Sequence, residues 1–170
     1  MQNLILVRPS NDYRESCLTA IEEFKAESSS SLSWYYNLGD NFVDYIKELI
    51  ARTTLKTEKM VPETVLWGVI DNEFVGRISI RHDLNEFLSR VGGHIGYEVR
   101  PSYRGLGIGT KMLEQALPIA KRVGLDKVLL TCDETNVGSI KIILANGGVL
   151  ENVIEMGEGK PGKQRYWIQL

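Results

Sequence analysis

Apolar positions along the 170-residue chain change their period from helical to extended and back. Leu4 to Arg8 is a short extended run closed by Pro9, which biases the residue before it away from helix. Asp12 and Glu15 have the capping-box spacing, and Tyr13, Cys17, Ala20 or Ile21, and Phe24 follow at intervals of three to four. That spacing predicts an amphipathic helix with Cys17 on its core face. Ser28 to Ser31 and Ser33 interrupt it, the aromatic cluster Trp34, Tyr35 and Tyr36 follows, and Gly39 and Asp40 mark the start of a second helix through Phe42, Tyr45, Ile46, Leu49 and Ile50.

From Thr64 the pattern becomes extended, and Thr64 to Ile70, Glu73 to Arg81 and Gly92 to Val99 read as three strands, the first two joined through the turn residues Asp71-Asn72. Leu106 to Val123 reads as a helix that Pro118 should bend or shorten, because proline cannot donate to the Glu114 carbonyl. Lys127 to Thr131 is a buried-looking strand. Ser139 to Asn146 is a short helix stopped by Gly147-Gly148, and Val149 to Glu155 and Gln164 to Leu170 close the chain as a hairpin. This order predicts an α+β fold with a mixed sheet covered by helices, and it excludes a fully parallel doubly wound sheet.

Composition narrows the class. Hydrophobic residues at 43% and charged residues at 25% are the ordinary globular mixture, and the length suits one domain spanning residues 1–170. A net charge of −2 offers no positive field for nucleic acid or for an anionic membrane, so neither partner is expected. Leu4 to Val7 is too short for a secretory or membrane segment, which makes the expected location cytoplasmic. Cys17 and Cys132 stand outside any metal-ligand spacing, so no metal and no disulfide framework are expected.

Chemistry concentrates in Ile95-Gly96-Tyr97-Glu98-Val99-Arg100-Pro101-Ser102-Tyr103-Arg104-Gly105-Leu106-Gly107-Ile108-Gly109-Thr110. Here a strand runs into a turn and then a helix whose first residues are alternately glycine. A helix start carries backbone N–H groups without partners and the positive end of the macrodipole, so it stabilises an anion. Gly105, Gly107 and Gly109 let a bulky diphosphate reach that backbone, and Arg104 adds a charge. Three glycines in five residues would weaken a helix for little structural return. A dinucleotide fingerprint starting at Gly105 would require glycine where Thr110 stands, and no register supplies the Gly-Lys-Ser/Thr of a P-loop.

Arg104-x-x-Gly107-x-Gly109, after a strand ending in Val99-Arg100-Pro101, resembles the acyl-coenzyme A signature of the GNAT superfamily of N-acetyltransferases, and Asn136-Val137-Gly138-Ser139 resembles that family's second conserved patch. The resemblance implies a three-layer fold with a mostly antiparallel seven-stranded sheet, helices on both faces, and strands four and five splayed to admit the thioester. It implies acetyl-coenzyme A as cosubstrate and acetyl transfer by direct attack of a primary amine in a ternary complex. The cofactor would be held by Val99, Arg104, Gly105, Leu106, Gly107, Ile108, Gly109, Thr110, Asn136 and Ser139. The acceptor would be a small-molecule or peptide amine meeting the protein between the first two helices, and many members of the family are homodimers.

Proton transfer is less easily assigned. Family members often carry a tyrosine seven residues after the asparagine, and here Ile143 stands there. That departure keeps a second class open, a non-catalytic acyl-coenzyme A sensor. Strand alternation puts Ile95, Tyr97 and Val99 on one face and His94, Gly96 and Glu98 on the other. Glu98, beside the expected thioester gap, is the first candidate base and His94 the second. They lie roughly 13 Å apart along a strand, too far to serve one amine directly. Arg77, Ser79 and Arg81 alternate along the third strand and could line an acceptor site, although such alternation is also what a half-exposed strand requires. Cys132 is expected to be a packing residue.

Overall fold

The computed structural model describes residues 3–27, 41–57 and 59–170. The aromatic cluster Trp34 to Tyr36, the serines before it, and Gly39 and Asp40 lie outside the described residues. In chain order the elements are β1 (Ile5–Val7), α1 (Arg14–Ala26), α2 (Phe42–Ala51), β2 (Glu63–Ile70), β3 (Glu73–Arg81), β4 (Ile95–Val99), α3 (Ile108–Arg122), β5 (Lys127–Asp133), α4 (Val137–Ala145), β6 (Val149–Ile154) and β7 (Lys163–Gln169).

Every ladder is antiparallel. One sheet runs β1-β2-β3-β4 and the other β5-β7-β6. The β2–β3 hairpin turns on Asp71 and Asn72, at φ 49° and 66°, the paired left-handed geometry that a two-residue hairpin requires and that these side chains tolerate. The two sheets meet where the His94 N–H donates to the Leu129 carbonyl at 2.7 Å. Beyond that point β4 and β5 share no ladder, which is the expected splay carried far enough to divide the sheet.

Side chains alternate across the sheet and so feed two cores. Leu66, Ile78, Ile80 and Ile95 pack with Met112, Leu113 and Ala116 of α3, and with Val128, Leu130 and Tyr166 of the second sheet. Val65, Trp67 and Phe74 point the other way, into Cys17, Ala20, Ile21 and Phe24 of α1 and Phe42, Tyr45 and Leu49 of α2. Helices on both faces follow from this alternation, and Cys17 is fully buried as expected.

Several boundaries differ from the sequence reading. β4 begins at Ile95, because Leu88–Gly92 forms a π-helical turn ahead of it. The first cap is Ser10, whose hydroxyl accepts the Asp12 N–H at 3.2 Å, and the Asp12 and Glu15 box does not form. Asn41 caps α2 through Val43 and Asp44. Pro118 is accommodated inside α3, which continues to Arg122. The Arg77, Ser79 and Arg81 face of β3 is buried beneath the first two helices, with Arg77 at 8% and Ser79 at 3% exposure, so it is not the half-exposed face that alternation suggested.

Candidate functional site

β4 ends at Val99, and a 3-10 turn over Pro101–Tyr103 carries the chain into the glycine segment. Gly107 precedes α3 at φ +77° with nothing within 4 Å of where a Cβ would stand. Its backbone is therefore bare, and an L side chain there would be strained. The α3 ladder starts with the Lys111 N–H donating to the Gly107 carbonyl at 3.1 Å. The N–H groups of Ile108, Gly109 and Thr110 precede that bond and project from the positive end of the helix. Gly109 serves close packing instead, since a Cβ there would lie 2.5 Å from Ile142 Cδ1 and 3.3 Å from Val99 Cγ2.

This turn forms one wall of a cleft of about 580 Å³, within the range of small-molecule sites. Tyr97, Glu98 and Val99 of β4 line it, with Arg104, Gly105, Gly107, Ile108, Gly109 and Thr110 from the turn and helix, and Asn136, Ser139 and Ile142 from the α4 side. Of the expected cofactor residues only Leu106 is missing from the lining, and its side chain is largely exposed. Asn136 caps α4, its Oδ1 accepting the Ser139 N–H at 3.0 Å. The Arg100 N–H donates to the Val75 carbonyl, so even-numbered residues of this stretch face β3. The N–H groups of Tyr97 and Val99 consequently face the gap beside β5. These backbone donors, the bare turn and the apolar floor suit an elongated diphosphate-bearing thioester.

Two arginines strap α1 to the turn. Nη1 of Arg104 lies 2.8 Å from both carboxylate oxygens of Glu27, and its Nε donates to the Val99 carbonyl at 3.1 Å. Arg100 is buried and reaches Glu23 at 2.7 Å and Glu73 at 3.1 Å. Against the opposing effect of burial, hydrogen bonds from Arg100 and Ser102 hold the Glu23 carboxyl below the usual range. A hydrogen bond from Ser16, joined by Arg100, does the same for Glu73.

The two expected proton-transfer residues occupy different environments. His94 precedes β4, and its Nδ1 accepts the Leu129 N–H at 2.9 Å while its ring lies 6.1 Å from that of Trp167. It clamps the two sheets, burial pushes its pKa down, and it is not among the residues lining the cleft. Glu98 lines the cleft and also faces the α1 and α2 side, where Arg77 Nε stands 3.5 Å from its Oε2. Burial pushes the Glu98 carboxyl up, against the pull of Arg77 and Arg81.

On that side Arg81 meets Glu63 at 3.8 Å, and the small pair Ser79 and Gly96 lies between the two ion pairs. The buried Tyr45 hydroxyl and Trp67 indole N–H have no hydrogen-bond partner among the described residues. This buried polar face of the sheet was hidden in an ordinary alternation of polar residues. Cys132 is buried and its thiol is pushed up to about 11 by that burial, the environment of a packing residue.

Tyr97 is the residue that alternation most easily mislabels. It shares a face with Ile95 and Val99, yet its hydroxyl reaches the Ser139 carbonyl of α4 at 3.5 Å. Tyr103 and Lys141 also line the cleft without having been singled out. A tyrosine among aliphatic alternates, two residues before the strand ends at the glycine turn, was the available signal.

Comparison with known proteins is consistent with this geometry. A model of the acetyltransferase (GNAT) family matches residues 17–147. No curated protein matches the chain in sequence. The fold is similar to that of the microcin C7 self-immunity acetyltransferase MccE, solved with acetyl-CoA and AMP, at 19% identity and a TM-score of 0.73, covering 98% of this chain and 92% of that one. It is similar to the ribosomal L7/L12 alpha-N-protein acetyltransferase RimL, solved with coenzyme A, at 18% identity and a TM-score of 0.73, covering 100% and 96%. RimJ of Mycobacterium smegmatis, solved with a CoA-disulfide, aligns at 19% identity and a TM-score of 0.69, covering 98% and 81%.

Proposed function

We propose, from the premise that this chain belongs to the acetyltransferase (GNAT) family, that it moves the acetyl group of acetyl-coenzyme A onto a primary amine by direct attack in a ternary complex. The observation that carries this reading is the cleft in which the bare Gly105 and Gly107 backbone, the unladdered head of α3 and the edge of β4, last strand of its sheet among the described residues, converge. The N–H groups from Gly105 to Thr110 hold the diphosphate, and Asn136 and Ser139 bound the opposite wall. Arg104 contributes by fixing the turn through Glu27 and Val99.

The N–H groups of Tyr97 and Val99 flank the gap where the thioester carbonyl would lie, and one of them stabilises the oxyanion. The acceptor approaches Glu98 from the α1 and α2 side of the sheet, where Arg77 stands beside it. Glu98 takes the amine proton, directly or through water. A carboxyl raised by burial is a stronger base than an ordinary one, and the pull of Arg77 opposes that rise. His94 is left as a structural clamp.

The acceptor is a small-molecule or peptide amine. Coenzyme A release from acetyl-coenzyme A, measured against free amino acids, polyamines and peptides with free N-termini, tests the reading. Amine-dependent release supports it, and tight acetyl-coenzyme A binding with no release on any amine would make the chain a sensor.

A further inference from the structure

The reaction proposed above needs a proton for the departing sulfur, and position 143, where the family's usual acid would stand, holds an isoleucine at 1% exposure. The other polar groups of the cleft are poorly suited. Arg104 is engaged by Glu27 and Val99, Lys141 is exposed at the rim, and Tyr103 lies under the Arg100 guanidinium at 5.5 Å. The hydroxyls of Ser139 and Thr110 are aliphatic and far less acidic than a phenol. His94 gives its Nδ1 to Leu129.

Tyr97 has both the chemistry and the placement. It stands on β4 two residues before Val99, lines the cleft, and sends its hydroxyl across the splay to the Ser139 carbonyl of α4 at 3.5 Å. Its ring packs against the core cluster that contains Cys132 of β5. The phenol therefore lies between β4, β5 and the first turn of α4, inside the gap that admits the thioester. Its contact with Ser139 is long, which leaves the proton available to a nearer acceptor. We propose that the Tyr97 hydroxyl is the proton donor to the coenzyme A sulfur, supplying from β4 what Ile143 cannot supply from α4. This rests on the acetyl-transfer reading.

The step balances within the complex. The amine lone pair forms the new C–N bond, and the C–S pair leaves with sulfur as the tetrahedral intermediate collapses. Glu98 has by then taken the proton that makes the incoming ammonium a nucleophilic amine, so sulfur takes the Tyr97 proton while the phenolic oxygen recovers, through water, the second proton from the nitrogen of the intermediate. Burial pushes this phenol up to about 12, so it stands protonated at neutral pH and acts as a relay without release of free tyrosinate.

Tyr97→Phe removes one oxygen and leaves the packing in place. The test compares wild type and variant on acetyl-coenzyme A and on acetyl-selenocoenzyme A, whose selenol is far more acidic and leaves without protonation. Both donors are assayed with the amine that wild type uses best, and coenzyme A affinity is measured by calorimetry. A proton donor predicts a loss in kcat of at least about 30-fold on the thioester, less than about threefold on the selenoester, and affinity unchanged within about twofold. A variant as fast as wild type, an equal loss on both donors, or a loss explained by affinity would overturn the assignment. A wild-type chain that turns over neither donor overturns the acetyl-transfer reading itself, and Tyr97 with it.

Discussion

Arg104 Nη1 stands 2.8 Å from each carboxylate oxygen of Glu27, so the cation nearest the glycine turn is engaged at the end of α1 and not held open for an anion. The grip on a diphosphate then belongs chiefly to backbone N–H groups. Arg104→Ala should weaken coenzyme A binding by less than about fivefold in calorimetry. Because both partners of the pair are partly exposed, it should also lower the unfolding free energy by no more than about 1 kcal/mol in a urea titration. A hundredfold loss of affinity would return the side chain to the anion.

Arg100 is a different case. It is buried, and its removal deprives Glu23 of α1 and Glu73 of β3 of the cation they share. Breaking a buried ionic network from one side costs roughly 3–5 kcal/mol, and the partial exposure of the two carboxylates brings the expectation for Arg100→Ala to about 2–3 kcal/mol, measured by chemical denaturation.

The same network sets an acid limit. Glu23 and Glu73 both titrate below their usual range in the fold, so their contribution is complete above the unfolded carboxylate pKa of about 4.3 and is lost as pH falls through the lower folded values. Wild-type stability should fall with acid in that window. The Arg100→Ala variant should show a flatter curve there, and two parallel curves would contradict the linkage.

Glu98 has the opposite shift. Its folded pKa is raised by burial, so the active base form accumulates only as pH climbs above the ordinary carboxylate range. kcat/KM should therefore rise with pH along an acid limb displaced upward from about 4.3. Glu98→Gln should lower kcat by about 10²-fold or more, abolish that limb and leave coenzyme A affinity unchanged. A surviving limb in the variant would assign it to another group.

Much of this was legible in the chain, for identifiable reasons. Period changes located the elements, and the glycine spacing from 105 to 109 located the cleft, because bare backbone at a helix head has few structural uses. Asn136 was legible as a wall of that cleft. The polar face of β3 was not, because Arg77 and Ser79 alternate just as surface residues do, and only the packing of α1 and α2 over them shows their burial. The bond from the Leu129 N–H to His94 could not be read from strand parity, which ran β4 back to Gly92 where the structure has a π-helical turn. Tyr97 was hidden by its aliphatic neighbours.

The central claim is that bare backbone at the head of α3 holds coenzyme A, and Gly107→Val tests it most directly. The position has φ +77° and open space around it, so a β-branched side chain disturbs the turn without entering the core. Calorimetric titration should give saturable coenzyme A binding to wild type and at least about tenfold weaker binding to the variant, with circular dichroism unchanged. Equal affinity in the two proteins, or no binding to either, would contradict it.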